Sequence, residues 1–275
     1  MSPLSVRRMA APDIASLCDD LEAEHADLDA VVAPLDPAAW DRDTPAAGWA
    51  VRDQIHHLGW FDRNAVLAIE QPDEFTESMS EMVGDFAAFE AKLAAEARAL
   101  PAGELLEWWR AGRDRILRVA RHADPSLRVP WYGPPMALAS FVTARLMETW
   151  AHGQDVVDAV GATRAPTVRL RHIAHIGVRT RGFAYTIRNR ALTDRDVRVE
   201  LDAPDGSTWT WGSEEAADRV RGPALDFCLV VTQRRHIDDT TLVADGPLAV
   251  EWMSIAQAFA GGPGEGRQPG QFTHT

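Results

Sequence analysis

The chain has 275 residues, enough for two folded units at roughly 150 residues per domain. Its 28 basic and 41 acidic side chains leave a formal charge of −13, which argues against a nucleic-acid partner, because phosphate affinity comes largely from Lys and Arg. No apolar run approaches the roughly 18 residues needed to span a bilayer, and the N-terminus lacks a signal-length apolar stretch, so a cytoplasmic protein without a membrane partner is expected. Cys18 and Cys228 lie far apart in unlike contexts, which gives neither a disulfide framework nor a thiolate cluster; both are expected to be buried thiols.

In chain order, the first 160 residues read as amphipathic helices punctuated by proline and glycine, the pattern of an antiparallel bundle. A first helix begins near Pro12 and Asp13, carries Ile14, Leu17, Leu21, Leu28 and Val32 at three- and four-residue spacing, and ends before Pro34 and Pro37. A second runs from about Trp49–Val51 to Ile69, a third over Phe75 to Leu100, and a fourth from Gly103 to Arg121. Pro130-Trp-Tyr-Gly-Pro-Pro135 reads as a loop leading into the last bundle helix, Ala137 to Val160. Gly161 to Pro166 reads as a joint, placing one unit at 1–163 and another at 164–260, and the helical segment Thr167 to Arg190 can pack on either. From Asp196 the period falls to two: VRVELDAP, the Asp205-Gly206 turn and STWTWG predict a hairpin. A helix from Gly222-Pro223 to Thr232, a strand at Thr241 to Val243 and a closing helix from Pro247 to Phe259 complete the second unit. Residues 261–275 hold too little apolar surface to order themselves and are expected to be a disordered tail. The expected fold class is α+β, a four-helix bundle followed by a small α+β domain.

One feature breaks the amphipathic pattern. In the last bundle helix Arg145, Glu148, His152 and Asp155 recur at spacings of three, four and three, on the same face as Leu138, Phe141 and Val142. Burying such groups costs several kcal/mol unless they are paired or hold a cation. Glu148 and His152 can reach one ion from successive turns, an oxygen and nitrogen set that suits zinc, nickel, manganese, iron or cobalt. A third ligand is available in Asp53-Gln-Ile-His-His-Leu-Gly-Trp60, where the helical wheel sets His57 at the margin of the inward face and points His56 away from it. Three protein ligands leave open positions, as catalytic sites do. The competing reading pairs Glu148 and His152 with Arg145 along the helix and makes His57 a satisfied core histidine; the pattern alone leaves both open. His172-x-x-His175 also has ligand spacing, but Arg171 and Arg179 oppose a cation there, and His25, His122, His236 and His274 are expected in solvent or loops. Ten tryptophans, several of them in the first 150 residues, are compatible with a deep apolar pocket and with core packing.

The segments Gly48-Trp-Ala-Val-Arg-Asp-Gln-Ile-His-His-Leu58 and Ala144-Arg-Leu-Met-Glu-Thr-Trp-Ala-His-Gly-Gln-Asp-Val156 resemble the DinB-like superfamily and, within it, actinobacterial proteins similar to mycothiol-dependent maleylpyruvate isomerase. The resemblance spans both units and implies a metal-binding bundle followed by a sterol-carrier-like α+β domain. It implies His57, Glu148 and His152 as metal ligands, with zinc the foremost candidate, and Asp155 close behind them as a group that orients ligand or substrate. It also implies Arg234, after the helix of the second domain, as a site arginine, with Arg235 as the one-residue alternative. The segments Pro130–Pro135 and Glu148–Asp155 depart from the isomerase and point to a separate branch, so its substrate does not carry over.

The implied function is that of a divalent-metal-dependent isomerase or transferase acting with mycothiol or another small thiol on a small electrophilic or unsaturated acid. Asp155 would relay protons and Arg234 would pair with a substrate carboxylate. Two other functions fit the same residues: metal-assisted hydration, elimination or cyclisation, and a noncatalytic lipid or acyl carrier with a structural metal.

Overall fold

Four helices enclose the N-terminal core: α1 (Ile14–Val32), α2 (Val51–Glu70), and, after the pair α3 (Pro72–Gly84) and α4 (Phe86–Ala99), α5 (Ala102–His122) and α6 (Leu138–Val160). The computed structural model describes residues 13–84 and 86–272. Helix α1 packs on α5 and α6, and α2 packs on the same two, so the four close a square; α3 and α4 lie outside it against α2. Each bundle helix turns an apolar stripe inward, Leu17, Leu21 and Leu28 of α1 and Ile55, Leu58 and Ala65 of α2 among the buried residues.

Two expectations for this half are corrected. The single helix over Phe75 to Leu100 is two helices, the first ending at Gly84, and glycine is the weakest helix former after proline. The proline-rich loop at 130–135 is a hairpin of β1 (Arg128–Trp131) and β2 (Gly133–Ala137), with Trp131 opposite Gly133. Its aromatic tip packs inward: Trp131 stacks on Phe75 at 5.4 Å and meets Phe141 edge-on at 4.9 Å. That burial outweighs the loss of backbone donors at the prolines.

Helix α6 ends at Gly161, in the left-handed conformation at φ 67°. The segment beyond it is clamped to the bundle: buried Glu24 of α1 accepts from Arg164 and Arg169, both at 2.9 Å. Helix α7 (Leu170–Arg179) then packs against α6, and α8 (Arg181–Thr186) leads to the sheet. Strands β3 (Val197–Asp202) and β4 (Thr208–Trp211) form the expected hairpin, turning at Gly206 with φ 82°. The sequence reading missed β5 (Asp218–Pro223), whose residues carry little apolar alternation; it lies parallel to β3, with Val199 opposite Val220. With β6 (Val243–Asp245) the sheet order is β4-β3-β5-β6. Helix α9 (Ala224–Val231) covers β3 and β5 and packs on α7, while α10 (Pro247–Ile255) covers β5 and β6. One buried apolar cluster runs from α1 and α6 through α7 and α9 to the sheet. No described helix is long and apolar enough to cross a membrane.

The stretch from Gly261, expected to be disordered, carries no helix or strand through Phe272 but is held to the molecule by polar contacts instead of apolar burial.

Candidate metal centre and the arginines behind it

Helices α2 and α6 face each other, and their packing brings His57 beside His152, ring centroids 4.3 Å apart. One donor atom each from His57, Glu148 and His152 lies within 4.8 Å of the others, the one such grouping among the described residues. Glu148 Oε2 is 3.2 Å from His152 Nε2, and its side chain stays 24% exposed, so the cluster has an open side. Trp49 covers both rings, 5.2 Å from His57 and stacked on His152 at 5.8 Å. Its place depends on the turn before α2, where Gly48 adopts φ 80° and Thr44 donates its hydroxyl to the Trp49 carbonyl at 2.8 Å.

A residue that the sequence reading passed over fixes the orientation of His152. Gln54, fully buried on α2, donates through Nε2 to Thr44 Oγ1 at 2.9 Å, which turns its carbonyl oxygen to His152 Nδ1 at 2.5 Å. An amide oxygen can only accept, so Nδ1 carries hydrogen and Nε2 is the nitrogen that faces Glu148. At 3.2 Å that nitrogen and the carboxylate can share a proton or a cation, and two imidazole nitrogens with a carboxylate oxygen are the donor set of a divalent ion such as zinc. The signal for Gln54 was its position one turn before His57 on the same helix.

Burial, with the charges of His152, Arg145 and Arg234, holds the His57 imidazole well below its ordinary range, keeping it in the neutral form that ligates metals. Burial acts against ionisation of Glu148, but the His152 hydrogen bond and the charges of His152, Arg145 and Arg234 outweigh it and hold the carboxyl below its ordinary range.

The polar stripe of α6 divides between partners. Arg145 does not hydrogen-bond Glu148; its Nη2 is 3.0 Å from Asp62 Oδ1 of α2, both side chains buried. Asp155 binds two guanidiniums, Arg234 at 2.8 Å and Arg267 at 2.7 Å. Both Asp155 oxygens are thus engaged by arginines. Arg235 forms two bonds to Asp158, at 2.7 and 2.8 Å. The separation of Arg234 from Arg235 comes from the end of α9, where Gln233 takes φ 60° and Arg234 N–H bonds the Leu229 carbonyl at 2.7 Å.

Among the remaining histidines, one expectation is corrected. His25 is buried, edge-on to Trp109 at 6.1 Å, because α1 turns it towards Asp62. His56 points away from the triad but not into solvent; it stacks on Trp108 at 4.9 Å beneath Glu96. His172 and His175 diverge, the first bonding Asp20 at 2.7 Å and the second accepting from Trp211 at 3.3 Å. His274 lies outside the described residues. Beside His57 a pocket of about 90 Å³ opens between α2 and α4, lined by Trp49, His56, Phe61, Phe89, Glu90 and Leu93 among others.

The family model described as the mycothiol maleylpyruvate isomerase N-terminal domain matches residues 21–157, a span that holds all three residues of the triad. A second model, described as wyosine base formation, matches residues 194–245, which hold the sheet and α9. Two uncharacterised proteins from two strains of Mycobacterium tuberculosis are 47% identical over 248 residues, covering 90% of this chain and 96% of theirs. The crystal structure of a mycothiol-dependent maleylpyruvate isomerase shares the fold with a TM-score of 0.56 and 15% identity over 86% of this chain and 97% of that one. That of a histidine-to-alanine mutant gives a TM-score of 0.58 at the same identity and coverage. The chain belongs to the mycothiol-dependent maleylpyruvate isomerase-like family, together with the two mycobacterial proteins.

Proposed function

We propose that the protein is a divalent-metal-dependent enzyme of the thiol-dependent isomerase type, acting with mycothiol or another small thiol on a small unsaturated or otherwise electrophilic acid. The observation that carries this reading is the half-buried triad of His57, Glu148 and His152, its donor atoms within 4.8 Å, beside an arginine whose charge acts on both His57 and Glu148. A divalent ion held by these three residues would lower the pKa of a thiol ligand, supplying thiolate at neutral pH.

The thiol comes from outside the chain. Cys18 and Cys228 are both buried, and burial raises both thiols, Cys228 well above its ordinary value. Reversible addition accounts for isomerisation without gain or loss of atoms. The thiolate forms a C–S bond as the π pair of a conjugated double bond moves onto the carbonyl; rotation follows, and expulsion of the thiolate restores the double bond in the other geometry. Arg234 holds the substrate carboxylate and opposes the charge that develops beside it. Asp155 orients Arg234.

Cobalt substitution tests the reading. A small thiol titrated into the cobalt protein should change its visible spectrum, and His57→Ala, Glu148→Ala and His152→Ala should each lose the metal while His56→Ala retains it. A spectrum unmoved by thiol, with a copurifying lipid, would favour a carrier; a metal lost with His56→Ala and kept with His57→Ala would overturn the ligand set.

A further inference from the structure

The pocket between α2 and α4 combines aromatic and acidic groups. Trp49, Phe61 and Phe89 contribute rings, Asp53 of α2 and Glu90 of α4 contribute carboxylates, and no described lysine or arginine lines it. Asp53 caps the first turn of its helix, where Oδ2 accepts from Ala50 N–H at 2.8 Å. Its other oxygen, Oδ1, is buried and has no donor among the described residues, on a side chain only 6% exposed. Folded proteins seldom leave a buried carboxylate oxygen without a partner, because its desolvation is then uncompensated.

The nearby guanidiniums do not fill that role. Arg98 approaches Oδ2 instead, at 3.9 Å, and is 60% exposed. Arg52 is spent on Asp41 and on the carbonyls of Ala97 and Leu100, and Arg63 lies over the Trp108 ring. Farther along α4, Glu96 adds a third carboxylate, 3.6 Å from His56.

Carboxylates beside aromatic rings select a cation, since the carboxylates accept its hydrogen bonds and the ring faces attract its charge. A hydroxyl can donate to Asp53 but leaves the acidic charge of the pocket unbalanced. The triad then limits the rest of the ligand. Glu148 brings the one carboxylate charge to a divalent ion held there, which leaves one positive charge in excess and repels a simple amine; a thiolate on the ion cancels it. His57 belongs to both the triad and the pocket, so one small molecule can meet both demands.

We propose that this pocket is an ammonium site, with Asp53 and Glu90 as its recognition groups, and that the thiol acting at the triad carries a primary amine. This rests on the thiol-dependent reading of the triad and adds the chemical class of the thiol.

The experiment titrates cysteamine and 2-mercaptoethanol, which differ in an amine against a hydroxyl, into the full-length cobalt protein and its Asp53→Asn and Glu90→Gln variants, followed by visible spectrum and by calorimetry. Each variant is compared with the wild type for the same thiol, so the different acidities of the two thiols cancel. Asp53→Asn should weaken cysteamine about tenfold or more, the loss of a charge-assisted hydrogen bond, and Glu90→Gln a few-fold, while 2-mercaptoethanol changes less than about twofold in either. Glu90 is exposed, so its variant carries the test if Asp53→Asn loses the cap of α2 and does not fold. Equal losses for both thiols, or none, with the spectrum still responding to thiol, would overturn the ammonium site and leave the thiol-dependent reading standing. A spectrum that no thiol moves would overturn that reading, and calorimetric binding of cysteamine that the two substitutions fail to weaken would overturn the ammonium site on its own.

Discussion

The carbonyl oxygen of Gln54 lies 2.5 Å from His152 Nδ1, and the same amide is anchored by Thr44, so a neutral residue of α2 decides which nitrogen of an α6 histidine faces Glu148. Removing the amide frees the ring to turn. Gln54→Leu is expected to lower zinc affinity about 10- to 100-fold, the usual effect of losing the partner of a ligating histidine. Competition against a chelator of known affinity measures this. Unchanged affinity would mean that Trp49 stacking alone orients the ring.

Asp62 and Arg145 are a buried pair, and desolvation raises the Asp62 carboxyl against the lowering effect of Arg145. Arg145→Met strands that carboxylate and should cost about 3–5 kcal/mol in denaturant unfolding at pH 7. The double variant with Asp62→Leu should recover most of the loss. If the double variant is no more stable than the single one, the pair does more than balance charge.

Acid should destabilise the metal-free protein earlier than carboxylate titration would. Burial, with the charges of Arg113 and Arg145, holds His25 well below the ordinary histidine value of 6.5. The folded state therefore binds fewer protons than the unfolded chain below that pH, and stability falls as pH drops through the unfolded-state value, by up to about 1.4 kcal/mol per pH unit for each such histidine. His57 contributes in the same direction. Unfolding free energies between pH 7.5 and 5 should show this slope, and His25→Leu should flatten part of it; an identical slope in the variant would remove His25 from the account.

Gly177 of α7 sits against α9, where an added Cβ would meet Val231 Cγ2 at 2.7 Å. Gly177→Ala must push α7 from the helix whose end carries Arg234, and should destabilise by about 1–3 kcal/mol, as overpacked cores do. Thermal unfolding measures the cost. A midpoint equal to the wild type would show that this interface yields.

Helical periodicity put Glu148 and His152 on one face of α6 and preferred His57 to His56, because a helix repeating every 3.6 residues assigns its faces locally. The alternating hairpin of β3 and β4 was legible for the same reason at period two. The aromatic hairpin at 128–137 was not, since its prolines signal a loop and only Phe75 and Phe141, distant in sequence, give its ring a place to bury. The partners of the polar stripe were equally hidden: Arg145 bonds a residue 83 positions away, His152 one 98 away and Asp155 one 112 away in the C-terminal segment. Sequence by itself determined which elements form and which faces carry charge, both consequences of short-range geometry. Only the tertiary structure decided which charges meet, because buried ions take partners from whatever chain the packing brings within 3 Å, and no local period records that choice.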